Sequence, residues 1–248
     1  MKARTEMALQ VARSRGDALA VARLSEVLHP GLDLHFANGF DHPELVVYTA
    51  HDLPRPMRWG LVPRWAKDRA QADAMRPRAL LARSESMFAK PTFREAAAGQ
   101  RCLVHVEGFY EHHHFGRGRY HFFVHLRHRP FFALAGLWSE WRNPATGHAL
   151  RTFCIVTTGA NELMRRIHNN PRAAGPRMPV VLAPDDEQRW LDPQQGPDAL
   201  ADLLRPCPVE WLAAHPVAPL LGARGSGNSP AASRPYEYPE LLLGGPLA

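Results

Sequence analysis

The sequence predicts an α+β fold, mainly β, in which one domain is built on a curved, barrel-like sheet with short flanking helices. Many short stretches alternate apolar and polar residues or are rich in aromatic and β-branched residues, while helical spacings are few. The stretch from Arg101 to Glu111 sets Cys102, Val104 and Val106 on one face and then passes Gly108, where a strand can bend and re-aim the residues after it. No internal repeat is present, and 248 residues suffice for one substantial core.

In chain order, residues 5–28 read as two helices broken near Gly16-Asp17, with Leu19, Val21, Ala22, Leu24, Val27 and Leu28 at spacings of three and four, ended by Pro30-Gly31. A turn-rich loop over 35–43 precedes a strand at 45–49. Trp59-Gly60-Leu61-Val62-Pro63 is a short apolar segment that leads into a basic loop with Trp65. A strand is expected at 80–86, a short helix at 93–98, and strands at 120–126, 131–137 and 151–158, the last after a turn at 143–147. A helix over 161–168 has Asn161 as its N-cap. Residues 169–176 form a loop, 178–182 a strand, and 184–191 a helix with acids in its first turn. From Pro193 the chain is proline-rich and passes through the Gly/Ser/Asn linker 222–229. The domain is therefore drawn at 1–221, with 222–248 as a tail that packs back or is partly flexible.

Composition bounds the setting. An apolar content of 45% and a charged content of 22% are ordinary for a soluble protein. No apolar run approaches the roughly 18–20 residues that cross a bilayer, and the first ten residues lack the apolar core of a secretory signal. Cys102, Cys154 and Cys207 show neither disulfide nor metal spacing, which suits a reducing compartment. A cytoplasmic monomer without a membrane partner is expected.

The net charge of +6 is uneven: residues 55–101 hold eleven Lys/Arg against four acids, +7, leaving −1 for the rest. Trp59, Trp65, Phe88 and Phe93 lie among these cations. Positive charge tracks a phosphate backbone and aromatic faces stack on unpaired bases; a solvated basic surface over core aromatics is the plainer explanation of the same pattern. Glu111, behind Phe109 and Tyr110, would have a raised pKa if desolvated and would then exchange protons near neutrality; an acid facing water at a strand end is the alternative. Among fourteen histidines, the run His112-His113-His114 with His121 and His125 suggests a metal. Consecutive residues of a strand point to opposite faces, however, and no Cys or carboxylate recurs beside them. No specific metal and no cofactor is expected.

The blocks Trp59-Gly60-Leu61-Val62-Pro63-x-Trp65-Ala66-Lys67-Asp68, Ala82-Arg83-Ser84-Glu85, Lys90-Pro91-x-Phe93-Arg94, Arg101-Cys102-Leu103-Val104 and Gly108-Phe109-Tyr110-Glu111 resemble, in order, the SOS response-associated peptidase (SRAP) family. Ala135-Gly136-Leu137-Trp138, Thr157-Thr158-x-Ala160-Asn161, Ile167-His168, Arg177-Met178-Pro179 and the tail from Tyr236 to Leu241 extend the resemblance over nearly the whole chain. It implies a mostly β fold with a basic cleft for single-stranded DNA, and a DNA-repair role in capturing abasic sites. In the family an N-terminal cysteine condenses with the open-chain sugar aldehyde: the amine gives a Schiff base and the thiol closes a thiazolidine, which requires both groups on one residue. The resemblance further implies that Glu111 manages protons on the nascent amine and that His168 assists sugar-ring opening. It assigns phosphate contacts to Arg83 and Arg177, and the DNA-facing apolar wall to Trp59, Trp65 and Pro43.

The chain departs from the family at four places. Lys2 stands where the cysteine is expected, Leu81 where an Asn precedes Ala-Arg, and His112 where a Trp follows the Glu; the stretch between His168 and Arg177 is eight residues long. Cys102 and Cys154 alternate with apolar residues, and Cys207 lies between prolines, so no nucleophile is assigned. Because helical spacing begins by about Thr5, the sequence leads to the expectation that Met1 is an internal residue with a Met-Cys start encoded upstream; loss of the nucleophile is the alternative. Three functions remain open: abasic-site recognition with cross-linking or lyase chemistry in the intact gene product, a catalytically idle single-strand-binding module, and a peptidase. For the last, no Cys–His or Ser–His arrangement is legible.

Overall fold

A computed structural model of the chain describes residues 10, 13–16, 34–50, 54–223 and 225–242. The helices expected over 5–28 and the break at Pro30-Gly31 lie outside these residues, apart from 10 and 13–16, as does Lys2.

The strands are β1 (Glu44–Thr49), β2 (Arg55–Trp59), β3 (Leu81–Arg83), β4 (Arg101–Val106), β5 (Gly108–Phe115), β6 (Gly118–Leu126), β7 (Phe132–Arg142), β8 (Ala149–Gly159), β9 (Arg177–Pro179), β10 (Val181–Leu182) and β11 (Leu212–Val217). Strands β7, β4, β1, β2 and β8 pair in that order, and β8 returns to pair with β7, closing a five-stranded ring. The ring is the barrel-like sheet expected from the sequence. Beyond the ring, β8 continues between β3 on one side and β9 on the other, and β10 adds to β7. A separate antiparallel sheet runs β11-β6-β5, leaving β5 as an edge.

Alternation decides what each face packs against. Leu45, Val47, Met57, Cys102, Val104, Leu134, Phe153 and Ile155 meet Tyr120, Phe122 and Val124 of the second sheet in one buried cluster. Leu103, Ala135, Leu137, Cys154 and Val156, on the opposite face of the same strands, pack against short helices. These are α2 (Arg94–Gly99), α4 (Glu187–Leu191) and α5 (Pro197–Leu200), which follow α1 (Arg69–Met75) and α3 (Glu162–Ile167). The last helix is α6 (Pro239–Leu242). Among the described residues no helix is long and apolar enough to cross a membrane.

The stretch 101–111 is two strands, not one. The chain leaves the ring at Glu107, and β5 starts a new sheet at Gly108. A Cβ on Gly108 would run into the Phe123 ring and the Val124 carbonyl, so a side chain there would push β5 off β6. The expected strand at 178–182 is likewise broken, into β9 against β8 and β10 against β7. Several elements are absent from the sequence-based expectation, among them β2, α5 and α6, and two bear on the site's surroundings. Helix α1 lies in the basic loop, capped by the Asp68 side chain, which accepts from Gln71 N at 2.7 Å. Strand β11 carries Pro216, which removes a backbone donor and reads as a strand breaker; at the margin of its sheet that loss is tolerated. The tail runs back along β11: Val217 bridges Pro235, and the Tyr238 hydroxyl donates to Val217 O at 2.7 Å.

Candidate functional site

The exposed edge of β5 organises the site. An edge strand presents backbone groups that no neighbouring strand bonds. Here side chains bond them. The N–H of His112 donates to Glu111 Oε1 at 2.8 Å. The N–H of His114 donates to Asn169 Oδ1 at 2.7 Å, and Asn169 Nδ2 donates back to His114 O at 2.9 Å. Asn169 follows α3, whose N-cap is Asn161, accepting from Met164 N at 3.0 Å. At its other end, the Arg166 carbonyl accepts from His113 Nδ1 at 2.9 Å, so a carbonyl left over by the helix is satisfied from β5.

These bonds bring together two residues 57 positions apart in sequence. Glu111 Oε2 lies 3.1 Å from His168 Nδ1, with both side chains about a quarter exposed. The same Nδ1 lies 3.1 Å from the Arg177 carbonyl. Both neighbours accept, so Nδ1 carries a proton in either charge state and Nε2 is the nitrogen that titrates. The Glu111 hydrogen bond raises the His168 pKa; burial opposes it, and the carboxylate charge and the Arg177 carbonyl add to it. The pair lines a cavity of about 120 Å³ with His112, His114, Arg119 and Asn170. The His112 ring lies 4.6 Å from that of His121, edge to face. Burial, then the charges of His112 and Arg119, push His121 down to about 4.

Of the other sequence-predicted residues, Arg83, Arg177 and Trp59 lie on strands that pair with β8. Arg83 on β3 is exposed and pairs in register with Thr157. Arg177 on β9 reaches Thr157 from the other side, donating to its Oγ1 at 3.2 Å and its O at 2.9 Å. Both ends of the Arg177 guanidinium also donate to Glu85, at 2.8 Å each. Pro43 O accepts from Trp59 N at 2.9 Å, and the Trp59 indole stacks on Phe153 while donating to Leu80 O at 2.9 Å. Trp65 is held apart from this group by its own bond to Pro91 O at 3.2 Å and is 44% exposed. Leu81, on the outward face of β3 with Arg83, is 51% exposed.

The +7 segment does not present all its cations. Arg58 pairs with Glu44, Arg64 with Glu95, and Arg69 with Asp73. Arg101 is buried and donates to the carbonyls of Ala97, Ala98, Trp190, Asp192 and Gln195, tying α2 and α4 to β4. The three cysteines are buried. Burial raises their thiols, Cys207 to about 12 and Cys102 and Cys154 further. Among the described residues no group of three or more His, Cys, Asp or Glu side chains is arranged to hold a metal ion. The sequence-based reading missed Arg119, Asn169 and Asn170, and weighed His114 only as part of a histidine run that could suggest a metal. None belongs to a motif, and the only available signal was hairpin alternation, which sets 112, 114 and 119 on one face.

The family model described as SOS response associated peptidase (SRAP) matches residues 19–223. The abasic site processing protein YoqW of Bacillus subtilis (strain 168) is 36% identical over 176 residues, 70% of this chain and 73% of that protein. The abasic site processing protein HMCES of Gallus gallus is 31% identical over 183 residues, 65% of this chain and 52% of that protein. A crystal structure of a protein from Bacteroides thetaiotaomicron superposes with a TM-score of 0.80 at 29% identity, covering 93% of this chain and 96% of the other.

Proposed function

Since the chain belongs to the SOS response-associated peptidase family, we propose that it recognises abasic sites in single-stranded DNA, with Glu111 and His168 as the proton-handling pair. The observation that carries this is the 3.1 Å contact between them at the lining of one cavity. An abasic sugar is in equilibrium between a ring hemiacetal and an open aldehyde, and ring opening needs a proton moved between oxygens. His168 Nε2 can take or give that proton near neutrality, while Glu111 holds Nδ1 and stabilises the charged imidazole. Arg83 and Arg177 are proposed as phosphate contacts, with Trp59, Trp65 and Pro43 forming the apolar wall beside them. Damage repair in the SOS response is the setting that the family's description supports.

The covalent step belongs to a 1,2-aminothiol, and the 248-residue chain has Lys2 at its second position and three buried thiols. This form is expected to give no heat-stable adduct with abasic DNA in the absence of borohydride; a heat-stable adduct would contradict the assignment of no nucleophile. Binding without chemistry is a second reading, favoured by Leu81, whose exposed apolar side chain offers no hydrogen bond beside Arg83. Fluorescence anisotropy with single- and double-stranded oligonucleotides tests the shared claim. Single strands should bind more tightly, with affinity falling steeply as salt rises. Duplex preference, or indifference to salt, rejects it.

A further inference from the structure

We infer that Arg119, with His114 and Asn170 beside it, forms a subsite for one backbone phosphate flanking the sugar at the Glu111–His168 cavity. The inference rests on the function just proposed and adds residues that the proposal does not contain. Arg119 stands opposite His114 in the β5–β6 register, and both line the cavity. A two-residue turn, Gly116-Arg117, closes this hairpin between the paired Phe115 and Gly118. Gly116 sits at φ +57, where a glycine gives a tight turn without strain, so the Arg119 backbone is set opposite His114.

The donors and acceptors of the cavity are unbalanced. Its one carboxylate, Glu111, already accepts from His112 N and faces His168 Nδ1. Asn170 Oδ1 accepts from Arg172 N at 3.0 Å, which fixes the amide and leaves Nδ2 as the group with hydrogens to donate. The backbone N–H and carbonyl of His114 are both bonded by Asn169, so only its ring remains for the cavity. The Arg119 side chain forms no hydrogen bond or ion pair with any described residue. By contrast, Arg177 is engaged at both ends by Glu85 and Thr157.

The rim therefore offers the Arg119 guanidinium, unpaired among the described residues, and the Asn170 amide donor, while its one carboxylate is already engaged. A phosphodiester is the complement, an anion whose oxygens only accept. Arg119 and Asn170 line the same cavity as Glu111 and His168, so a phosphate held by them would flank a sugar at that pair.

A chemical double-mutant cycle tests the subsite. The probe is a single-stranded oligonucleotide with one tetrahydrofuran abasic analogue and a neutral methylphosphonate in place of either flanking phosphate. For the wild-type chain, one of the two replacements should weaken binding about tenfold, the low end for a charge-assisted hydrogen bond. Arg119→Gln should weaken the all-phosphate probe by a similar factor and lose its response to that replacement. Arg117→Gln, at the turn and outside the cavity lining, should keep the full response. A wild-type chain that binds the probe but ignores both replacements, or an Arg119→Gln chain that still responds, overturns this inference alone. Competition by inorganic phosphate as effective as that by oligonucleotide at equal phosphate concentration would reassign the rim to free anions and also overturn it. No binding by the wild-type chain overturns the proposed function and the subsite with it.

Discussion

The Glu85 carboxylate and the Arg177 guanidinium meet fork to fork, 2.8 Å apart at each of two contacts. Burial raises the Glu85 pKa, but the Arg177 hydrogen bonds and charge outweigh it and hold the carboxyl below its ordinary value. In the free chain, then, Arg177 is already occupied by an anion.

A phosphate at Arg177 must compete with Glu85. Glu85→Gln keeps the side-chain shape and removes the competing charge. Because the pair is partly exposed, the gain should be modest: single-stranded DNA binding tighter by about 1.4- to fivefold, as for an exposed ion pair of about 0.2–1 kcal/mol. Anisotropy titration reads this directly. Unchanged or weaker binding would make Arg177 a structural tie between β9 and the Glu85 turn.

Asn169 should act on His168 through the backbone. Replacing it by Ala leaves the N–H and carbonyl of His114 without their partners and frees the turn that carries His168. Two losses are expected: about 1–3 kcal/mol of stability in denaturant unfolding, and a fall of the His168 pKa toward its ordinary value in an NMR titration. Lost stability with an unchanged His168 titration would mean that the Glu111 contact does not depend on Asn169.

Two histidines should pull stability in opposite directions with pH. His168 is raised, so the stability it contributes is complete below about 6.5 and is lost as pH rises through its folded value. His121 is lowered to about 4, so its contribution is present above about 6.5 and is lost as pH falls toward 4. His121→Gln should therefore flatten the acid side of a stability-against-pH curve, and His168→Gln should flatten the side near and above neutrality. If His121→Gln leaves the acid side as steep as before, the His121 ring is not held neutral by burial against His112.

The sequence spoke clearly wherever side-chain alternation and local capping decide the structure. Strands such as β1, β6 and β8 bury one face or both, and Asn161 caps α3 through its own side chain. Where partners are distant in the chain the sequence was silent. Nothing local says that the strand through Cys102 stops at Glu107, because that break reflects which sheet each half joins. Nor does a charge count reveal that Arg101 spends its donors on five interior carbonyls rather than on a surface. Glu111 stood out at its strand end, and His168 was named through the family blocks. The reason they meet, Asn169 bonding an edge strand 55 positions away, has no motif.

The most direct test of the account is the ratio of affinities for two single strands, identical except that one carries a natural abasic site. Competition anisotropy should give the wild-type chain a preference for the abasic strand of about tenfold. His168→Ala and Glu111→Gln should bring that ratio close to one while leaving affinity for the intact strand unchanged. Equal affinities in the wild-type chain, or a preference that survives both substitutions, would contradict the claim that this pair reads the missing base.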